Sequence, residues 1–244
     1  MSDPQIHLDE LDRAEDELID RFRAHPVLTG VGELDDDAFL EILLQRRFVS
    51  LAFTPCYDLA IDLLEDREAL QIARIILREE YPDGSGRTRS HREDMVEDLL
   101  RLGATREQIV HSRPSRRTMR TITDTFRMIA DAGTGEHPDT AILTVLRFWG
   151  EVLVAEEYHL LWPRMEDRML TADGENLSRF YFPHLVHDAK DRPLSRPSRL
   201  AATHSDRLAS RLRALLVGEE ERDLFLAAER RILAIREGFY RQFA

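Results

Sequence analysis

The sequence is poor in cysteine, with Cys56 the only one among 244 residues. A single cysteine cannot form an intramolecular disulfide or supply a multi-cysteine zinc or iron–sulfur site. Long apolar runs are absent too, since charged residues interrupt even the most apolar stretch, 141–162. The acidic first ten residues show no export signal. We therefore expect a cytoplasmic protein.

Lysine is almost missing, and Lys190 is the only one among 34 basic residues. The formal net charge of −12 repels phosphate backbones and anionic lipid, so we expect neither nucleic acid nor membrane as a partner. Glycine-rich phosphate loops, dinucleotide fingerprints and the Gly-x-Ser-x-Gly nucleophile motif are also absent. With 43% hydrophobic residues, the chain can still bury a substantial core.

Apolar residues recur at spacings of three and four, as in Phe225, Ala228, Ile232, Ile235 and Phe239. This is the helical period, and alternating strand patterns are missing. The pattern predicts an all-α bundle. Between the glycine and proline breakers, the predicted helices are 9–24, 36–64, 67–81, 91–102, 115–132, 138–171, 176–191, 199–216 and 220–243.

No segment repeats another, and no long linker divides the chain. We therefore predict one helical domain over residues 31–244, preceded by an N-terminal helical arm over residues 1–30. Pro55 and Pro163 fall inside predicted helices and are expected to kink them.

Acidic and imidazole side chains interrupt apolar helix faces at four places. Helical bundles build metal sites from such inward-facing residues. A mixed nitrogen and oxygen set without sulfur suits iron or manganese. The candidates are Glu80 at a helix end, His91 at the next helix start, Glu156 with His159 one turn later, and the group His184, His187 and Asp188.

Each place also has a structural interpretation. Glu80 belongs to an acidic pair of a kind that is usually solvated. His91 could be a first-turn helix residue, and Glu156 with His159 could be a one-turn helix contact. The polar groups within 184–188 are harder to explain structurally, because they would need partners if buried.

Taken in order, the segments 78–103, 154–165 and 180–191 and the closing helix resemble the haem-oxygenase-like di-iron oxidases, a family of iron-containing redox enzymes. The family pattern is Glu, then Glu to His across a turn, then Glu, then His-x3-Asp-x2-His. The resemblance covers about residues 36–243. It implies a haem-oxygenase-like helical bundle that binds Fe(II), two ions per chain, and uses O2 as co-substrate.

The resemblance also implies a ligand set. Glu80 corresponds to the bridging carboxylate and His91 to the first imidazole. Glu156 corresponds to the carboxylate of the second iron. His184 and Asp188 correspond to the first two members of the final motif, with His187 as the alternative to His184.

Two family ligand positions differ here. Thr54 stands where the family has its first Glu, with Asp58 one turn later as the only acidic neighbour. Asp191, itself a candidate ligand, stands where the family has its last His. The insertion 192–203, which contains two prolines, ends directly before His204. We predict that His204 takes over from the missing histidine.

The resemblance implies O2-dependent oxidation of a small amine, amino acid or fatty-acid-like substrate in specialised biosynthesis. N-oxygenation, desaturation and oxidative C–C cleavage are the reactions it allows. An external electron donor is an expected partner, and the chain could form a homodimer. Arg120, Arg147 and Arg164 are candidate clamps for a substrate carboxylate.

Two other interpretations remain open. His187-Asp188 also matches the HD dipeptide of the HD-domain phosphohydrolases, an all-α family, with His159 and Asp223 as its remaining ligands. Alternatively, the two departures at ligand positions are compatible with a metal-free helical binding protein on the same scaffold.

Overall fold

The computed structural model describes residues 4–84, 89–196 and 203–244, with side chains from residue 7 onward. Within these ranges the chain is helical, without named strands. The prediction of a single all-α domain is confirmed. The helices are α1 (Pro4–Arg23), α2 (Pro26–Thr29), α3 (Asp36–Leu51), α4 (Phe53–Leu63), α5 (Arg67–Glu79), α6 (His91–Arg101), α7 (Arg106–His111), α8 (Arg116–Gly133), α9 (Pro138–Val145), α10 (Leu153–Met169), α11 (Tyr181–His187), α12 (His204–Leu215) and α13 (Glu219–Tyr240).

Several helices begin at the predicted residue or within one residue of it. A side-chain cap precedes most of these starts. The side chains of Asp35, Asp66 and Ser90 each accept a bond from a backbone N–H in the first turn. Ser90 and Glu93 form a capping box in which each side chain bonds the other residue's backbone N–H. Such caps satisfy N–H groups that have no partner within the helix.

Two predicted helices differ from the observed ones, and two short helices, α2 and α7, were not predicted. The predicted helix 36–64 divides at Ala52 into α3 and α4. The predicted helix 176–191 contracts to 181–187, because buried Asp98 accepts bonds from the backbone N–H groups of residues 179–181 and so caps α11 from another helix. Helix α7 begins at Arg106, and its N-cap residue Thr105 forms a capping box with Gln108.

The predicted helix 138–171 is continuous but not uniform. Between α9 and α10 the backbone forms a π-helix, Leu146–Val152. Pro163 lies inside α10, which continues to Met169. Of the predicted helix 199–216, the described part begins at His204; Pro197 and the rest of 197–202 lie outside the described residues.

Helix α1, from the predicted N-terminal arm, packs into the bundle. Leu11 and Phe22 are buried. Glu15 is fully buried and forms two hydrogen bonds with Arg147 of the π-helix, while Lys190 lies 2.8 Å from its Oε2. None of the described helices is long and apolar enough to cross a membrane.

A second carboxyl group, Glu229, is buried beside this ion cluster. Its Oε1 lies 3.7 Å from Arg147 Nη1. Burial and the nearby charge of Glu15 raise the pKa of Glu229 well above its usual range. At pH values above the ordinary pKa of a glutamate, the folded protein therefore keeps a proton on Glu229 that the unfolded chain releases.

Glu229→Gln tests this arrangement. A carboxyl group whose pKa is raised on folding destabilises the fold as pH rises above its unfolded pKa. The variant should therefore gain about 1 kcal/mol or more of unfolding free energy at pH 8, and less at pH 5. Urea unfolding at both pH values measures the difference. The control is Glu220→Gln on the exposed side of α13, which should change stability little. Equal effects of Glu229→Gln at both pH values would contradict a protonated Glu229.

Candidate metal centre

Three helices bring Glu80, His91 and His184 together. Glu80 ends α5, His91 begins α6, and His184 lies in α11. One ligand atom of each lies within 4.8 Å of the others. His91 Nδ1 is 2.8 Å from Glu80 Oε1, and the two imidazole ring centres are 4.8 Å apart. These residues form the first cluster.

The tautomer of His184 is set by the backbone. Its Nδ1 lies 2.6 Å from the carbonyl oxygen of Phe180. A carbonyl oxygen only accepts, so Nδ1 carries the hydrogen and Nε2 keeps its lone pair. Burial, together with the neighbouring His91, lowers the pKa of His184 to about 4. His184 is thus neutral at physiological pH, the form that binds metal ions.

Glu151, Asp188 and His204 form the second cluster. Glu151 lies in the π-helix, Asp188 ends α11, and His204 begins α12. Their ligand atoms lie within 4.8 Å of one another, and all three side chains are buried. His204 Nδ1 is 3.3 Å from both Glu151 Oε2 and Asp188 Oδ1.

The second cluster holds protons strongly. Burial and the Glu151 carboxylate raise the pKa of Asp188 well above its usual range. Burial alone would lower the pKa of His204, but the adjacent Asp188 and Glu151 outweigh it and raise the value to about 11. Without a metal ion, a proton on His204 therefore supplies the positive charge that the two carboxyl groups need.

Both clusters line one cavity of about 140 Å³. Their donor atoms are imidazole nitrogens and carboxylate oxygens, a set that suits divalent iron or manganese and contains no sulfur. Glu151 and Asp188, buried side by side in the second cluster, need a compensating cation. The donor atoms of each cluster are of the types that hold one such divalent ion.

The structure places most of the predicted ligands here. Glu80, His91 and His184 form the first cluster, and Asp188 and His204 belong to the second. His204 stands next to Asp188, as expected of a substitute for the family's last histidine, although its role as a ligand stays a prediction.

Glu156 does not join them. The prediction that Glu156 shares one cavity with the other ligands is wrong. Its carboxylate binds Arg23 of α1 through bonds of 2.6 and 2.8 Å. Asp191 is exposed and lines a different surface pocket, with Asp16 and Lys190.

Glu151 occupies the place that the sequence analysis gave to Glu156. The π-helix explains the error, because an i→i+5 segment changes which side chains share a face, and such segments are frequent at functional sites. The signal available in the sequence was a carboxylate inside the apolar run Val145–Val152. We read Glu151 only as an interruption of an apolar stretch.

The other positions singled out in the sequence lie around the centre or away from it. Thr54 lines a pocket beside Glu80 and His91, whereas Asp58 is exposed. His187 is exposed at the rim of the shared cavity. The candidate carboxylate clamps Arg120, Arg147 and Arg164 pair instead with Asp124, Glu15 and Asp36, respectively.

The ligands required by the HD-domain interpretation are not assembled. His159 and Asp223 are exposed on α10 and α13. Neither belongs to a metal-ligating group among the residues that the structure describes. The HD dipeptide therefore lacks its partners.

No protein-family model and no curated protein matches the chain. Solved structures do match it. A CADD-like protein of unknown function from Nostoc punctiforme superposes with a TM-score of 0.66 at 15% identity, covering 98% of this chain and 94% of its own. A TenA family transcription regulator from Silicibacter superposes with a TM-score of 0.59 at 13% identity, covering 97% and 96%. These likenesses show the fold alone.

Metal binding to the second cluster should release protons. A ligating imidazole must be neutral, but His204 with its pKa of about 11 is protonated at pH 7.5. Mn(II) binding should therefore release at least about one proton per chain, and affinity should rise at least about tenfold per pH unit between pH 6 and 9. Calorimetry in buffers of different ionisation enthalpy counts the protons. Affinity that does not depend on pH would contradict ligation by His204.

Tyr57 orients a ligand of the second cluster. Its hydroxyl donates a hydrogen bond to Glu151 Oε1, and the ring is fully buried in a stack with Phe53. Tyr57→Phe should weaken metal binding at this cluster about 10- to 100-fold. The control is Tyr158→Phe, since buried Tyr158 bonds Ser50 and no cluster residue. Equal Mn(II) affinities for the two variants would contradict this role.

Proposed function

We propose that this protein is an O2-dependent, non-haem di-iron oxidase acting on a small organic substrate. The observation that carries the proposal is the pair of three-residue clusters facing one cavity. Glu80, His91 and His184 would hold one ferrous ion, and Glu151, Asp188 and His204 the other. When bound, two ferrous ions supply electrons to dioxygen.

The protein's own contribution is orientation and exclusion of water. The Phe180 carbonyl holds His184 in one tautomer, and Tyr57 holds Glu151. Phe53 stacks on both Tyr57 and Trp149, which places an aromatic wall beside the clusters. Gly150 lies against this stack, and a Cβ there would make a tight contact of 3.2 Å with the Phe53 ring. Such apolar surroundings protect reactive species from water.

The proposed reaction is oxidation of an amine, amino acid or fatty-acid-like molecule by N-oxygenation, desaturation or oxidative C–C cleavage. We also propose an external electron donor as a partner of the protein. The family resemblance of the sequence implies these reactions. The imidazole and carboxylate groups of the site are of the types that bind the iron these reactions need.

Iron loading tests the proposal. Anaerobically loaded wild-type protein should bind about two Fe(II) per chain, and an O2 pulse should produce an absorbance change that depends on iron. Glu151→Gln should lower the stoichiometry to about one, because it removes a carboxylate from the second cluster only.

Glu156→Gln is the matched control. It makes the same chemical change five residues away, at a carboxylate bound to Arg23, and should keep the wild-type iron content. If wild-type protein bound no iron, the proposal would fail in favour of a metal-free binding protein. If Glu156→Gln lost iron and Glu151→Gln did not, the assignment of the second cluster would be wrong.

A further inference from the structure

A second, smaller cavity adjoins the first cluster. Apolar side chains of α3, α4, the π-helix and α10 form much of its wall, and Glu80 and His184 of the first cluster also line it. Its free space is about 30 Å³, room for about two water molecules. It shares Phe53, Glu80 and His184 with the larger cavity, so a ligand here would lie next to the candidate metal ligands.

Two buried arginines also line this cavity. Arg46 Nε lies 2.5 Å and Arg236 Nη1 lies 2.9 Å from the same oxygen, Oε2 of Glu157. Both guanidinium groups are almost fully buried. Among the described residues, Glu157 is the only acidic side chain that pairs with either arginine. Two positive charges thus share one negative charge.

Burial makes this excess of positive charge energetically costly. Desolvation and the like charge of Arg46 lower the pKa of Arg236, although Glu157 opposes them. The hydroxyl groups of Tyr158 and Tyr240 stay neutral, because burial raises the pKa of both. The two tyrosines therefore add no negative charge beside the two arginines and Glu157.

Two N–H donors of residues that line the cavity also lack acceptors. Trp149 Nε1 and Arg236 Nε are buried without a hydrogen-bond partner among the described residues. Both side chains line the cavity and are at least 97% buried. Arg236 Nη2 donates to the Trp149 carbonyl oxygen at 2.7 Å, which keeps the two residues adjacent. An unsatisfied buried donor costs about 1–3 kcal/mol.

We propose that this cavity binds the carboxylate of a small, otherwise apolar substrate, with Arg236, Arg46 and Trp149 as the anion subsite. A carboxylate supplies a negative charge and two acceptor oxygens, a good match for a guanidinium group. The free space of this cavity takes the carboxylate group, and the apolar remainder of the molecule would extend into the larger cavity that shares Phe53, Glu80 and His184. This inference rests on the proposed function, and it selects a monocarboxylic acid over an amine as the substrate class.

Two ligands that differ in charge test whether the cavity prefers an anion. Binding is measured on the iron-loaded wild-type protein under anaerobic conditions. The probes are hexanoate and hexanamide, which have similar size and shape but differ in charge. Calorimetry should show hexanoate binding at least about tenfold more tightly. Equal affinities, or no binding of hexanoate, would overturn the proposal without any variant.

Three variants locate the subsite. Arg236→Gln should remove the preference for hexanoate. Trp149→Phe deletes one N–H while keeping an aromatic ring, and should weaken hexanoate binding about three- to tenfold. Trp162→Phe is the control, because Trp162 packs on Phe182 outside this cavity and should leave binding unchanged.

Iron content is measured on the same samples, which separates this inference from the proposed function. Loss of the hexanoate preference with about two irons retained in Arg236→Gln and Trp149→Phe supports the anion subsite. A preference that survives both substitutions would place the carboxylate elsewhere, for example on the metal ions, and would overturn it. Wild-type protein without iron would count against the proposed function alone.

Discussion

The buried carboxylate of Glu157 joins three parts of the bundle. It lies on α10 and accepts hydrogen bonds from Arg46 on α3 and from Arg236 and Tyr240 on α13. Arg236 also bonds the carbonyl oxygen of Trp149, so this network holds the π-helix in position. Removing one partner from a buried ion network costs several kcal/mol, because the remaining charge is uncompensated. Glu151 lies two residues after Trp149 in the same π-helix.

The same rule of charge compensation operates at the candidate metal centre. Glu151 and Asp188 are buried side by side, and the proton on His204 balances part of their charge. A divalent ion would replace that proton and provide stronger compensation. In the cluster of Glu15 and Glu229, by contrast, Arg147 and Lys190 supply the positive charge beside Glu15, and the raised pKa of Glu229 favours its neutral form.

Local sequence signals predicted the helices well where the helix ends depend on neighbouring residues. Ser90 with Glu93 marks the start of α6, and Asp66 marks the start of α5. Prediction failed where a distant residue decides the boundary. Asp98 caps α11 from across the bundle, and no pattern within 176–191 announces that contact.

The candidate site shows the same difference between features that local sequence predicts and features that distant contacts decide. The types and order of Glu80, His91, His184 and Asp188 in the sequence were sufficient to nominate them, because each interrupts an apolar face. The sequence also nominated His204, from the insertion before it. Glu156 was nominated by the same reasoning and lies elsewhere, since Arg23 on α1 binds it.

The sequence by itself determined the all-α class, the absence of disulfides and a supply of nitrogen and oxygen ligands. These follow from composition and from periodicity within single helices. Only the tertiary structure decided that Glu151 enters the centre, that Tyr57 orients it, and that Arg46 and Arg236 share one carboxylate. The reason is physical: burial sets the cost of a charge, and which charges are buried together depends on how distant helices pack.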